Sequence, residues 1–392
     1  MKHAILVHYD EIGLKGKNRN FFEVQLMKNI QEKLVIFGFS KDTVIKKLYG
    51  RILVELKNKT KEAEKEKLKK IFKTTFGISH FSFAVETEND INKIKNQVLE
   101  LLEKEKFQNF RITAQRANKN FKPNSQEVCV IVGEAVVNKF EKSVKLKGSE
   151  LECFIEITDK KTYIYTKKIK SVGGLPIGVG AKVISLISGG IDSPVATWFA
   201  QKRGLETVLV HFHSKPFVDE ASVEKVKELV QKLTTYSPKI KLYLCPFGNL
   251  QKKLLYAVPD EYRIIIYRRF MYQIAEKIAE KEKALALLSG DSIGQVASQT
   301  LENINAVQEA VKLPVLRPLL GFDKKEIIDK AKEIDTFKTS ILPHKDCCTM
   351  FMPKHPETKA KPWKIQEIEK KLDVDGLVED VLKELEVEFL NC

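Results

Sequence analysis

The run VISLISGGIDSPVATWFA, residues 183–200, decides the fold. It begins as an apolar strand, Val183 to Ile187, and passes directly into Ser188-Gly189-Gly190-Ile191-Asp192-Ser193. Pro194 then sits where a helix starts, a position that tolerates a missing N–H. A strand, a glycine turn and a helix in that order leave free N–H groups and the positive end of the helix dipole at the turn, where an anion is stabilised. Glycine lets the backbone approach such an anion closely. Ser188 and Ser193 add hydroxyl donors. Asp192 would repel a phosphate, so it suits a Mg²⁺ ligand, a residue that orients the loop, or both. The turn is not GxxxxGK[ST]: the nearest string, Gly178 to Lys182, has the wrong spacing and precedes the strand. It is not GxGxxG either, which weakens a nicotinamide reading.

Further apolar runs follow at 205–213, 239–245, 283–289 and 311–316, with helical spacing at 193–203, 221–234, 261–281 and 322–334. Apolar strands separated by helices predict a parallel sheet covered on both faces. The expected class is therefore α/β, a doubly wound domain with its ligand at the carboxyl ends of the strands. The tail from Ile365 to Leu390 reads as one or two amphipathic helices. Upstream, the glycine-rich stretch 171–182 marks a domain boundary. Before it, strands are expected at 3–10, 51–57, 78–86, 109–114, 151–157 and 161–169, and helices at 21–37, 62–73, 90–105 and 125–140. These make two small α+β units with a boundary near 60–76. At about 150 residues per domain, 392 residues fit roughly two to three domains.

Charge divides the chain unevenly. Residues 1–175 carry 35 Lys/Arg against 22 Asp/Glu, whereas residues 176–392 carry 32 against 30. Such asymmetry points to a first half that meets a polyanion. The segment 111–125 holds Arg111, Arg116, Lys119 and Lys122 with no acid, and Phe121 lies among them. Basic side chains neutralise phosphates while an aromatic ring stacks on a sugar or base. No window approaches the roughly 20 apolar residues of a membrane span. No secretory signal is read at the N-terminus. Six cysteines in a chain of this length make no disulfide scaffold. The expectation is a cytoplasmic protein with reduced thiols.

The hexapeptide Ser188–Ser193 resembles the signature of the PP-loop ATP pyrophosphatases, which cleave ATP between the α- and β-phosphates and adenylate an oxygen of their substrate. ISGGIDSPVA, His211-Phe212-His213, residues 287–300 (LLSGDSIGQVASQT) and Asp346-Cys347-Cys348-Thr349 together resemble the tRNA 4-thiouridine synthetase (tRNA uracil 4-sulfurtransferase) family. Residues 116–125 and 132–137 resemble its THUMP RNA-binding domain. The resemblance covers essentially the whole chain. It implies a ferredoxin-like domain at 1–75, a THUMP domain at 76–171, and a PP-loop domain with a helical tail at 172–392. It implies ATP contacts at Leu186, Ile187, Ser188, Gly189, Gly190, Asp192, Ser193, His211, Phe212, Arg268, Gly290 and Gln299, with Arg268 preferred over its neighbour Arg269. Asp291 is open to two readings, a Mg²⁺ ligand or a helix N-cap.

Cys129, Cys153 and Cys245 lie in apolar patterns and read as core residues. Cys347 and Cys348 stand in a loop-like stretch beside His344 and Lys345, where positive charge favours the thiolate. His344, Cys347, Cys348 and His355 include four zinc-type ligands, but adjacent cysteines lack the usual spacing, so no metal site is assigned. The resemblance implies that Cys347, or else Cys348, carries sulfur as a persulfide. It implies ATP and Mg²⁺ as cofactors, tRNA as partner and substrate at U8, a homodimer, and a cysteine desulfurase or other persulfide donor. Some members carry a rhodanese-like domain; the tail after about residue 360 has no room for one, which leaves the donor open and a role in thiamine synthesis doubtful. Two other readings are another PP-loop reaction on RNA, such as 2-thiolation or amidation, and a non-catalytic RNA-binding protein.

Overall fold

The structure, a computed structural model, describes residues 2–58, 60–215, 217, 220–343 and 355–392. Its contacts divide the chain into two compact units, Met1–Pro176 and Ile177–Cys392.

In the first unit the chain runs β1 (Lys2–His8), α1 (Arg19–Ile36), β2 (Thr43–Leu48), β3 (Arg51–Leu56), α2 (Glu62–Lys73) and β4 (His80–Glu88). It continues through α3 (Ile91–Leu102), β5 (Asn109–Arg116), α4 (Ser125–Phe140), β6 (Ser143–Val144), β7 (Leu151–Ile157), β8 (Lys161–Tyr165) and β9 (Ile169–Lys170). Among the described residues these strands form one nine-stranded sheet, ordered β2-β3-β1-β4-β8-β7-β5-β6, with β9 paired to β4. The two α+β units expected from sequence therefore share a sheet. Strand β4 joins them, pairing antiparallel with β1 through His3↔Val85 and with β8 through Val85↔Ile164. Alternation along β1 separates two faces. Ile5 and Val7 enter a core with Leu26 and Ile30 of α1 and Leu68 of α2. Farther along, Ile112, Cys153 and Ile155 enter a second core with Val98 of α3 and Val132 of α4. The other side of β1 presents Ala4 and Leu6 to Leu53, Ala84, Tyr163 and Tyr165. At its end, Glu156 accepts from His8 Nε2 (2.9 Å) and Tyr165 (2.6 Å) and pairs with Arg51.

The second unit runs β10 (Lys182–Leu186), α5 (Asp192–Lys202), β11 (Glu206–His213), α6 (Ala221–Leu233), β12 (Lys239–Pro246), α7 (Gly248–Ala257), α8 (Arg263–Glu282) and β13 (Ala286–Leu288). Then come α9 (Leu301–Gln308), β14 (Val315–Leu316), α10 (Lys324–Glu333), α11 (Phe337–Ser340), α12 (Pro362–Glu369), α13 (Val374–Lys383) and β15 (Glu386–Asn391). The sheet order is β14-β13-β10-β11-β12-β15. Five strands are parallel, as the doubly wound reading requires, and β15 is antiparallel to β12. The helical tail is thus corrected: after α12 and α13 the chain ends in a strand on the sheet edge. Alternation in EVEFLN carries that signal, and it is short enough to be hidden by the helical pattern before it. The run 311–316 yields only the two residues of β14, because Pro314 cannot donate to a ladder.

From β10 the sheet grows one way through β11 and β12, and the other way through β13. The crevice at this reversal lies beyond the carboxyl ends of β10 and β13, where open α/β sheets bind ligands. Among the described residues, no helix is long and apolar enough to cross a membrane.

Candidate active site

The loop after β10 is held by its own serines. Ser188 N donates to Ser193 Oγ (2.9 Å), the two hydroxyls lie 3.1 Å apart, and Gly190 N donates to Ser188 Oγ (3.3 Å). Neither Gly189 nor Gly190 has a positive φ. Leu186 is half-buried, while Ile187 is buried and donates its N–H to Val210 O.

Asp192 opens α5. Its Oδ1 accepts from Lys324 Nζ (2.7 Å) and its Oδ2 from Gln295 Nε2 (2.9 Å). Lys324 is the first residue of α10, whose N-cap, Asp323, is fixed by a reciprocal bond pattern with Glu326. Neither Lys324 nor Gln295 was marked by the sequence reading. Lys324 adjoins Lys325, and only the fold separates the two.

Gly290 lies against the first turn of α5. A Cβ there would sit 2.9 Å from Ser193 N and 3.0 Å from Asp192 C and Ser193 Cα. Its close approach is thus to the loop's own backbone.

Asp291 caps no helix, which corrects one of its two expected readings. It is buried and accepts from Arg268 Nη2 (2.6 and 2.7 Å), Ser289 (2.8 Å), Tyr272 (3.2 Å), Arg317 Nε (3.4 Å) and Gln299 (3.4 Å). Burial opposes its charge, but the two arginines and these donors hold its carboxyl below the usual range. With so many donors already bound, its oxygens are poorly placed to take Mg²⁺. Arg268 likewise loses solvation, yet Asp291 keeps it charged beyond the ordinary guanidinium range. Arg268 also donates to Ser298 O (3.0 Å), which places it beside the Gln299 turn. Arg269 points elsewhere: its guanidinium grips Glu369 of α12 (2.7 and 2.6 Å) and Ala306 O. Arg317 was missed, although it follows a parallel strand at its carboxyl end, where site residues collect.

His211 is buried at the end of β11, with Nδ1 3.0 Å from Ile187 O. Burial lowers its pKa to about 4, so the ring is neutral and Nδ1 carries the proton given to that carbonyl. Nε2 is then an acceptor, buried and without a partner among the described residues. The Phe212 ring packs in the core, edge-on to Phe247 at 5.4 Å, so the ring is turned away from a ligand in the crevice.

Cys347 and Cys348 fall outside the described residues, but both flanks of their segment are placed. Ser340 Oγ donates to Gly190 O (3.3 Å) on the loop itself. Lys225 Nζ donates to Leu342 O (2.9 Å). On the far flank, Thr300 Oγ1 donates to Thr358 O (2.7 Å), next to Gln299. Cys129 is half-buried, and Cys153 and Cys245 are buried. Burial pushes the Cys153 thiol up to about 12 and Cys245 well above its usual value, so both are inert core thiols.

In the first unit, Lys119 and Lys122 are exposed. Arg111 donates to Leu146 O (3.1 Å) beside Glu152. Arg116 is turned inward, donating to Phe121 O and to Pro123 O (3.5 Å). Phe121 itself packs on the core beneath α3 and α4. The expected stacking ring is therefore a structural anchor, and Arg116 braces the loop that carries the two lysines.

A strand–loop–helix nucleotide site of the PP-loop type, in one unit, accompanies a basic α+β unit in the same chain. Residues 178–374 match the family described as thiamine biosynthesis protein (ThiI), residues 4–82 its ferredoxin-like domain, and residues 88–167 the THUMP domain. A probable tRNA sulfurtransferase of Brevibacillus brevis is 42% identical over 99% of this chain and 96% of its own length. One of Thermus thermophilus is 40% identical over 99% and 94%. A solved 4-thiouridine synthetase, crystallised with RNA and bound ATP, is 37% identical, with TM-score 0.89 and full coverage of both chains. The chain belongs to the ThiI family of tRNA sulfurtransferases.

Proposed function

We propose that this chain converts U8 of tRNA to 4-thiouridine, using ATP to activate C4 and a persulfide to supply sulfur. The observation that carries the reading is the full-length likeness to a 4-thiouridine synthetase solved with RNA and ATP.

ATP is assigned to the crevice beyond β10 and β13. The loop N–H groups and the Ser188 and Ser193 hydroxyls take its phosphates. Arg268 and Arg317, already neutralising one carboxylate between them, leave positive charge over for the same oxygens. Leu186, Ile187 and the Phe212 backbone flank the adenine, and His211 Nε2 is an acceptor for an amino group. Gln299 and Gly290 complete the wall. Asp192, whose carboxylate meets only the exchangeable Lys324 and Gln295 side chains, is the residue that would hold Mg²⁺, which takes one or two carboxylates plus phosphate and water. Bound there, Mg²⁺ would neutralise phosphate charge. Lys324 would then pass from Asp192 to the phosphates.

The uridine O4 attacks the α-phosphorus, pyrophosphate leaves, and C4 carries an AMP ester. Reaching C4 requires the base to leave the stack. The terminal sulfur of a Cys347 persulfide bonds to C4, and AMP departs with the former O4. The Cys348 thiolate then attacks the Cys347 sulfur, breaking the S–S bond and releasing 4-thiouridine. A dithiol reductant returns the resulting disulfide to two thiols. Cys347 lies seven residues after Ser340, so it is within about 25 Å of that anchor on the loop.

The basic first unit grips tRNA through phosphates and shape, with Arg111, Lys119 and Lys122 as its contacts and Arg116 as their support. Residues 1–75, 76–171 and 172–392 are taken as the ferredoxin-like, THUMP and PP-loop parts of a cytoplasmic homodimer served by a cysteine desulfurase or other persulfide donor. The test is incubation with ATP, Mg²⁺, sulfide and unmodified tRNA, followed by nucleoside mass spectrometry. 4-Thiouridine that vanishes without ATP is expected. AMP formation on bound tRNA with no thionucleoside overturns the reading.

A further inference from the structure

Asn303 is fully buried in the first turn of α9 and joins three stretches of chain. Its Nδ2 donates to Ala297 O (2.8 Å) and to Glu357 O (2.7 Å), and its Oδ1 accepts from Ala360 N (3.1 Å). Ala297 begins the short helical turn that ends at Gln299, and Gln299 reaches Asp291, the partner of Arg268. Glu357 and Ala360 lie just past the cysteine segment. One carboxamide thus ties the wall of the ATP crevice to the chain leaving Cys347 and Cys348. The neighbouring Thr300 hydroxyl adds a parallel tie to Thr358 O.

We infer that Asn303 is a positioning residue for sulfur transfer, holding the exit of the cysteine segment in register with the ATP wall. The role rests on the proposed function, since it presumes that one active centre carries out both adenylation and thiolation. The chemistry demands an amide. Two carbonyls need donors and one N–H needs an acceptor, and the short asparagine side chain supplies all three. Aspartate has the same shape but faces Ala297 O and Glu357 O with acceptors. Alanine removes all three bonds, two of them part-buried and the one from Ala360 N buried.

The test compares wild type with Asn303→Asp, and with Asn303→Ala where the aspartate does not fold. Three quantities are followed with tRNA present: pyrophosphate release, 4-thiouridine formation, and the KM for ATP. The expected result is thiolation slowed about tenfold to a hundredfold, the scale of roughly 1 Å misplacement. Because Asn303 also braces the Gln299 turn, pyrophosphate release falls too, but by less than thiolation, so the ratio of pyrophosphate to 4-thiouridine climbs. A parallel fall of both activities, or no change in either, overturns the inference. A second readout does not depend on turnover: alkylation of Cys347 and Cys348 is expected to respond to ATP in wild type and not in the variants. An unchanged response in the variants refutes the role of Asn303. A wild type that releases pyrophosphate but makes no 4-thiouridine sinks only the proposed reaction, and the alkylation comparison still decides the coupling.

Discussion

Gly290→Ala adds one methyl group at the most constrained point of the crevice. The new Cβ would lie 2.9 Å from Ser193 N and 3.0 Å from Ser193 Cα, against about 3.4 Å for ordinary contact. Either the β13 end or the first turn of α5 must retreat by about 0.5 Å, and both are backbone. Overpacking of this kind costs about 1–3 kcal/mol. For a folding unit of around 200 residues each kcal/mol lowers Tm by about 2–4 °C, so a drop of roughly 2–12 °C is expected by calorimetry. Whatever strain is relieved by moving α5 appears instead in catalysis, because Ser193 and Asp192 move with it. A shift of about half an ångström in a phosphate-binding turn is expected to lower kcat/KM for ATP by at least about tenfold. The two losses trade against one another, and at least one must be seen. An alanine variant with both Tm and kcat/KM of the wild type would refute the claim that Gly290 serves as a spacer for the loop.

Adjacent arginines separate cleanly. Arg268→Met is expected to abolish pyrophosphate release, because it removes the phosphate contact proposed above and leaves Arg317 as the one arginine on Asp291 among the described residues. Arg269→Met leaves the part-buried Glu369 without its partner instead and is expected to cost about 1–3 kcal/mol of stability, read from urea unfolding, while activity per folded molecule persists. Acid stability reports on His211, whose pKa falls from 6.5 to about 4 on folding. The unfolded chain binds the proton first, so stability is lost as pH drops through this window, by up to about 3 kcal/mol for this residue. His211→Gln should reduce the slope between pH 6.5 and 4, leaving the share of His8 and His80, whose pKa values burial lowers over the same range; an unaltered slope would show that His211 does not contribute. In the first unit, Lys119→Ala with Lys122→Ala should weaken tRNA binding and reduce the salt slope by about 0.9 per lost phosphate contact. Arg116→Ala should lower Tm as well as affinity.

The sequence carried the α/β order because parallel strands buried on both faces are continuous apolar runs, and 205–213 became β11 almost intact. It carried the phosphate-type loop because that chemistry is local, held within six residues. It missed β2, whose TVIKKL has lysines on an exposed edge, and α9, whose eight residues are too few for a periodic signal. It could not tell Arg268 from Arg269 by periodicity, since consecutive helix residues differ by about 100° and either could face the crevice. Only the positions of Asp291 and Glu369 separate them, and those carboxylates are 23 and 100 residues away along the chain. Lys324 was hidden for the same reason, being 132 residues from Asp192. Phe121 misled because an aromatic among basic residues looks the same whether its ring faces RNA or the core beneath it.

These long-range pairs share a geometry that follows from the switch point. Every parallel strand delivers its carboxyl end to the same edge, so side chains from β10, β11, β13 and β14 meet there however far apart they lie in sequence. Charges gathered so closely must be balanced before any ligand arrives. Asp291 takes the two arginines, and Asp192 takes Lys324. The first balance is buried and shared among five donating side chains, so it fixes position. The second involves a lysine whose side chain is 45% exposed, so it can be exchanged. A surface-accessible ion pair contributes only about 0–1 kcal/mol. A polyphosphate can therefore draw Lys324 from Asp192 at little cost, while the same ligand leaves the Arg268–Asp291 pair standing. The crevice thus combines a rigid cationic wall with one releasable cation. Under the proposed function, that arrangement would bind a triphosphate, stabilise departing pyrophosphate, and return to its starting charge state.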